Sequence, residues 1–167
     1  PHWGLSAPPL TQGPARGRTL LVAVLTSEIN SGFYAEVIKG IDQVASQHEG
    51  HLLSSFAHGI DDYIELWRSF AVGGRVDGII LIAPPLDLLA HRIRPDDVPM
   101  VLCACRPQAT SQGWEHVDSI TVDNQKGINE LMRHLVDQEH KRFTHIAGPA
   151  DIYDPVDRRK AFEQFMA

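Results

Sequence analysis

Cys103 and Cys105 are the chain's two cysteines. They stand two residues apart on what reads as one strand, so both side chains are expected to point the same way. That is half of a soft-metal site, and the sequence nominates no further ligands to complete it. A disulfide framework is excluded by the count. Among the nine histidines, His48 and His51 flank a helix end at Gly50, and His134 and His140 bracket another. Neither pair has the one-face spacing of a helical metal site, so no metal is expected. The stretch Ser27-Glu28-Ile29-Asn30-Ser31-Gly32 follows the first apolar run and holds a single glycine. A phosphate cradle for a dinucleotide needs a glycine-rich turn at that place, so no cofactor is expected either. No nucleophile has an adjacent base, and no residue is nominated as catalytic.

The elements that position any site follow from hydrophobic period. Leu20-Leu21-Val22-Ala23-Val24-Leu25 is an almost unbroken apolar run, the pattern of a parallel strand covered on both faces. Phe33, Val37, Ile38, Ile41, Val44 and Ala45 recur on one helical face, and that helix stops near Gly50. A strand over His51 to Ala57 comes next. A helix then opens on Asp61 and Asp62, which suit its positive end, and closes at Gly73-Gly74. Val76 to Ile82 is the most buried-looking strand, closed by Pro84-Pro85. Strands joined by helical crossovers are parallel and right-handed, so an α/β doubly wound sheet is predicted, with ligands at the strands' carboxyl ends. A short helix over Leu86 to Arg92, a strand over Val98 to Ala104, a polar loop over Arg106 to Glu115 and a strand over Asp118 to Val122 continue the alternation. Asp123 or Asn124 then caps a helix striped by Ile128, Leu131, Met132 and Leu135. Phe143 to Ala147 reads as a further strand, and Val156 to Met166 as a helix that ends inside a repeating βα pattern, with part of a sheet missing beyond it.

A length of 167 residues suggests one globular domain, and 43% hydrophobic residues supply a core. The formal net charge of -6 makes the segment a poor polyanion binder, so direct contact with nucleic acid is not expected from it. Residues Pro1 to Arg18 are rich in proline and glycine without periodicity and read as a linker. Neither a membrane-spanning run nor an export signal is seen, which makes a cytoplasmic protein the default.

Several segments in register carry a resemblance: Val22-Ala23-Val24-Leu25, Phe33 to Ile41, Arg75 to Ile80, Val98 to Leu102, Val122-Asp123-Asn124 with Gly127, and Ile146-Ala147-Gly148-Pro149. In order and spacing the chain from Thr19 onward resembles the effector-sensing core of the lactose-repressor (LacI/GalR) family of bacterial transcriptional regulators. That core has the periplasmic-binding-protein-like (type I) fold. The resemblance implies a first lobe over 19–123 and the beginning of a second over 124–167, with 1–18 outside both. The family's helix-turn-helix, hinge helix and most of its second lobe have no counterpart here.

The same resemblance nominates site residues. The loop after the first strand and the start of the next helix point to Ser31, Phe33 and Tyr34, an aromatic pair able to stack on a sugar face or a purine. Arg158, three residues before Ala161-Phe162, matches an arginine that precedes a glycine-aromatic pair in the family, with alanine replacing the glycine. Its guanidinium fork suits two hydroxyls or a carboxylate. Asp154, in the loop before that helix, is a further candidate. Many family members carry an aspartate at the end of the fourth strand, where this chain has Ala104 between two cysteines.

The function implied is sensing. A sugar, nucleoside or related metabolite binds between two lobes and alters operator binding by a helix-turn-helix that is not in this chain. The family's first lobes pair around the helix from Phe33 to His48, so a homodimer is expected, with Gly40 allowing close approach. A periplasmic-type sugar-binding protein of a transporter is the alternative. An enzyme on a flavodoxin-like sheet stands third and would need a cofactor at the strand ends.

Overall fold

Period-two burial with apolar residues on both faces makes the strands of this chain the middle layer of a sandwich. The computed structural model describes residues 20–27, 32–72, 74–107 and 111–167. Leu21–Thr26 (β1) leads to helix Gly32–Gln47 (α1), His51–Phe56 (β2) and helix Ile60–Ala71 (α2). Gly78–Ile82 (β3), a one-turn helix Leu86–Leu89 (α3), a 3-10 turn Pro95–Asp97, Met100–Cys103 (β4) and Asp118–Ile120 (β5) follow. Asn124–Asp137 (α4) and Tyr153–Met166 (α5) close the order. All strand pairs are parallel, in the order β2-β1-β3-β4-β5. The predicted doubly wound sheet is thus present.

Alternation decides which helix each strand residue meets. Ala23, Leu25, Ile79, Leu81 and Leu102 face one way and pack with Tyr63, Ile64, Trp67 and Phe70 of α2. Val24 and Ile82 face the other way, with Tyr34, Val37, Ile38 and Ile41 of α1 against them. The α1 face is the thinner cover, and no residue of α1 is fully buried. Gly50 joins α1 to β2 at close quarters. A Cβ there would stand 3.0 Å from the Leu20 carbonyl oxygen and 3.2 Å from that of Ala45, so only glycine fits without a shift.

The loop read as polar carries a core residue. Trp114 is wholly buried among Leu86, Leu89, Ala90 and Ile93, and its Nε1 donates to the Ala90 carbonyl at 3.3 Å. The two cysteines do not share a strand face. β4 ends at Cys103, Ala104 takes a left-handed φ of 54°, and the alternation breaks there. Cys103 consequently packs on the α1 side and Cys105 on the α2 side.

Beyond β5, α4 begins as its caps require, with the Asp123 side chain accepting from the Lys126 N–H at 2.9 Å. α4 and α5 pack on one another through Ile128, Met132 and Phe162, around an apolar hollow of about 270 Å³. The strand expected over Phe143 to Ala147 is absent. No strand lies beside it among the described residues, a ladder needs a partner, and Ile146 is 92% exposed.

Candidate functional site

A cleft of about 540 Å³ opens at the carboxyl ends of the sheet strands. One wall is Pro84, Leu86 and Asp87 after β3, with Cys105 and Arg106 after β4. The opposite wall is the turn 150–152 and the first turns of α5, through Tyr153, Val156, Asp157 and Lys160. The cleft stands where parallel α/β sheets collect ligands, because strand-to-helix loops meet at that edge. It joins segments separated in sequence by some of the chain's longest intervals.

Arg106 crosses from one wall to the other. Its Nε donates to the Tyr153 hydroxyl, and the guanidinium carbon lies 5.3 Å from the centre of the Tyr153 ring. The bond to Tyr153 raises the pKa of Arg106, with Asp157 and Asp123 adding to it. Burial raises that of the Tyr153 phenol, so both groups keep their protons at neutral pH.

Behind the α5 wall lies a buried polar group of three. Asn124, the first residue of α4, donates from Nδ2 to Asp154 Oδ1 at 2.8 Å. Its Oδ1 accepts from Arg158 Nη1 at 3.2 Å. Asn124 and Asp154 are 5% and 7% exposed, and Arg158 is half-buried.

In the wall after β4, the pKa of the Cys105 thiol is pushed up to about 12 by burial first and then by the charges of Asp154 and Asp87. Cys103 is raised as well, again chiefly by burial. Since the thiolate is the nucleophile, Cys105 should be alkylated by iodoacetamide at pH 8 far more slowly in the native protein than in urea. Labelling at equal rates would contradict the burial described here. The same displacement makes a stability term. The term is complete below pH 9, where the unfolded thiol holds its proton, and is lost as pH rises from there toward 12.

The residues nominated from the sequence fall in three places. Asp154 and Arg158 come together through Asn124, one turn apart on α5. Tyr34 packs on the α1 side with Val24, Ile82, Ala83 and Ala104, a group that also takes in Ile152 from the cleft wall. Phe33 touches Tyr34 edge to face at 5.5 Å and is 48% exposed. Ser31 lies outside the described residues. Sequence reasoning missed Asp87, Arg106, Tyr153 and Lys160. Arg106 carried a usable signal, since it follows β4, whose carboxyl end the parallel-sheet rule makes a ligand edge.

A family profile described as "Periplasmic binding proteins and sugar binding domain of LacI family" matches residues 19–166. The chain belongs to this family. Among its LacI-family relatives, catabolite control protein A of Priestia megaterium is 26% identical over 153 residues, covering 90% of this chain and 44% of that protein. The HTH-type transcriptional regulator CelR of Thermobifida fusca is 28% identical over 154 residues, covering 88% of this chain and 44% of the regulator. A solved complex of the transcriptional regulator CelR with cellobiose superposes with a TM-score of 0.72 at 26% identity, over 88% of this chain and 46% of that one. The chain therefore spans less than half the length of each of these three proteins. CelR is by name a transcriptional regulator. No helix among the described residues is long and apolar enough to cross a membrane.

Proposed function

We propose that this chain is the first lobe, residues 19–123, and the beginning of the second, 124–167, of the effector-sensing core of a bacterial transcriptional regulator. A small polyhydroxylated molecule, of the sugar or nucleoside class, enters the cleft and changes how the two walls close on each other. The observation that carries this reading is the cleft itself, built from β3 and β4 ends on one side and the start of α5 on the other. Its mixed lining of carboxylates, two cations and a phenol suits hydroxyl groups, which both donate and accept. The family resemblance adds Arg158 and Asp154 on α5, and Tyr34, Phe33 and Ser31, as candidate ligand contacts; the four of them that are described lie around the cleft and not in its lining. Operator DNA is engaged by a helix-turn-helix elsewhere in the complete protein, which works as a cytoplasmic homodimer paired through α1. The names of the matched relatives favour a regulator over the transporter-linked binding protein that shares the fold.

Calorimetric titration of the native protein that carries this chain with cellobiose, D-glucose, D-ribose and adenosine tests the reading. Saturable binding of at least one of them, with a matching change in operator affinity, is the expected result. Binding without any change in DNA affinity would favour the transport class, and no binding to any of the four would contradict the effector class named here.

A further inference from the structure

The two walls of the cleft belong to parts of the chain that share little packing. α5 lies along α4, and among the described residues it has no comparable contact with any strand of the sheet. A short series of side chains seats its start on the strand ends. Ile152 packs with Val24, Ile82, Ala83 and Ala104 on the α1 side, and Tyr153, the next residue, packs on the α2 side, so the pair straddles the carboxyl edge of the sheet. Arg106 then fastens Tyr153 from the wall after β4 in two ways at once. Its Nε donates to the phenol oxygen, and its guanidinium carbon lies over the ring, 5.3 Å from the centre. The carboxylates of Asp157 and Asp123 draw the same guanidinium toward α5 and the start of α4.

We propose that the Arg106–Tyr153 contact is a clasp between the two walls of the effector cleft, one that holds the start of α5 to the strand ends and must part for a ligand to enter. This rests on the reading of the cleft as an effector site. Both side chains line the cleft, one from each wall, so a molecule seated between the walls has to pass or replace them. Exposure sets the strength of the clasp. Arg106 is exposed and Tyr153 half-buried, and a cation held by a ring and one hydroxyl at such a place gives only a severalfold bias between joined and parted walls. A ligand can overcome a contact of that strength, whereas a buried ion pair in its place would resist separation far more. Because entry occurs only while the walls are apart, the clasp lowers the observed association rate by the fraction of time that it is shut.

Cys105 reports on the clasp with no ligand added. It lines the same cleft and is 2% exposed, so iodoacetamide reaches its thiol only when the walls part. In the native protein that carries this chain, Tyr153→Phe keeps the ring and removes the hydroxyl, and it should speed alkylation of Cys105 about threefold. Arg106→Met removes bond and cation together and should speed it more, although losing a cation beside a thiol would by itself slow the reaction. The two changes combined should do no more than Arg106→Met alone, since they break one contact. Cys103, on the α1 side, should keep its native rate in every variant. Stopped-flow association of whichever of cellobiose, D-glucose, D-ribose and adenosine binds should quicken in the same order. Unchanged alkylation of Cys105, a rise at both cysteines alike, full additivity of the two changes, or association slowed by both would overturn the proposal. If none of the four binds the native protein, the effector reading fails, and the alkylation rates still decide whether the clasp exists.

Discussion

Trp114→Ala is expected to lower the unfolding free energy by about 3–5 kcal/mol, the range for deleting a large aromatic from a core. The side chain is wholly buried, and truncation opens a cavity between α3 and the segment after Cys105 while leaving the Ala90 carbonyl without its donor at 3.3 Å. Trp67 offers the control. The residue is 4% exposed, but its Nε1 has no hydrogen-bond partner among the described residues, so Trp67→Phe forfeits no bond seen there and should cost about 1.5 kcal/mol or less. Urea denaturation of the three proteins separates these outcomes. Equal losses for the two changes would mean that the loop around Trp114 is not part of the core.

Arg158→Ala is expected to weaken effector binding by about 1.5–3 kcal/mol, the worth of charge-assisted hydrogen bonds from a guanidinium. The residue is half-buried and anchored by Asn124 at 3.2 Å, so its fork is held before a ligand arrives and little ordering entropy opposes the contact. Lys should not restore it, because an ammonium cannot hold two acceptors in one plane. A calorimetric titration that gives the same affinity for Arg158→Ala and the native protein would reduce Arg158 to a structural neighbour of Asn124.

Much of the sheet could be read in advance because each strand carries its own evidence. Val22 to Leu25 and Ile79 to Ile82 are apolar on both faces, and only a strand covered on both sides needs that. The caps were equally local, as Asp123 shows. What escaped was settled by distant neighbours. Phe143 to Ala147 has the composition of a strand and no partner beside it. Trp114 sits in a polar stretch whose fate depends on a hole left by α3. Cys103 and Cys105 separate to opposite faces because of one backbone angle at Ala104, which no side-chain pattern announces.

The site divides in the same way. Arg158 and Asp154 were legible through resemblance, since they lie on one helix at fixed spacing. Arg106 had a signal in its place after β4, but Asp87 and Lys160 had none, because the cleft brings them together from the end of a strand and a helix some 70 residues further along the chain. Asn124 read as a cap and proved to be the hinge of a buried polar group, a role that depends on where α5 lies against α4.

The cleft between the strand ends and the start of α5 is proposed to hold a small effector. Mapping backbone amide shifts of the native protein by NMR, as cellobiose, D-glucose, D-ribose and adenosine are added in turn, addresses it most directly. For at least one of them, saturable shifts should concentrate at Asp87, Arg106, Tyr153, Asp154 and Arg158. Shifts confined to other surfaces, or none with any of the four, would contradict it.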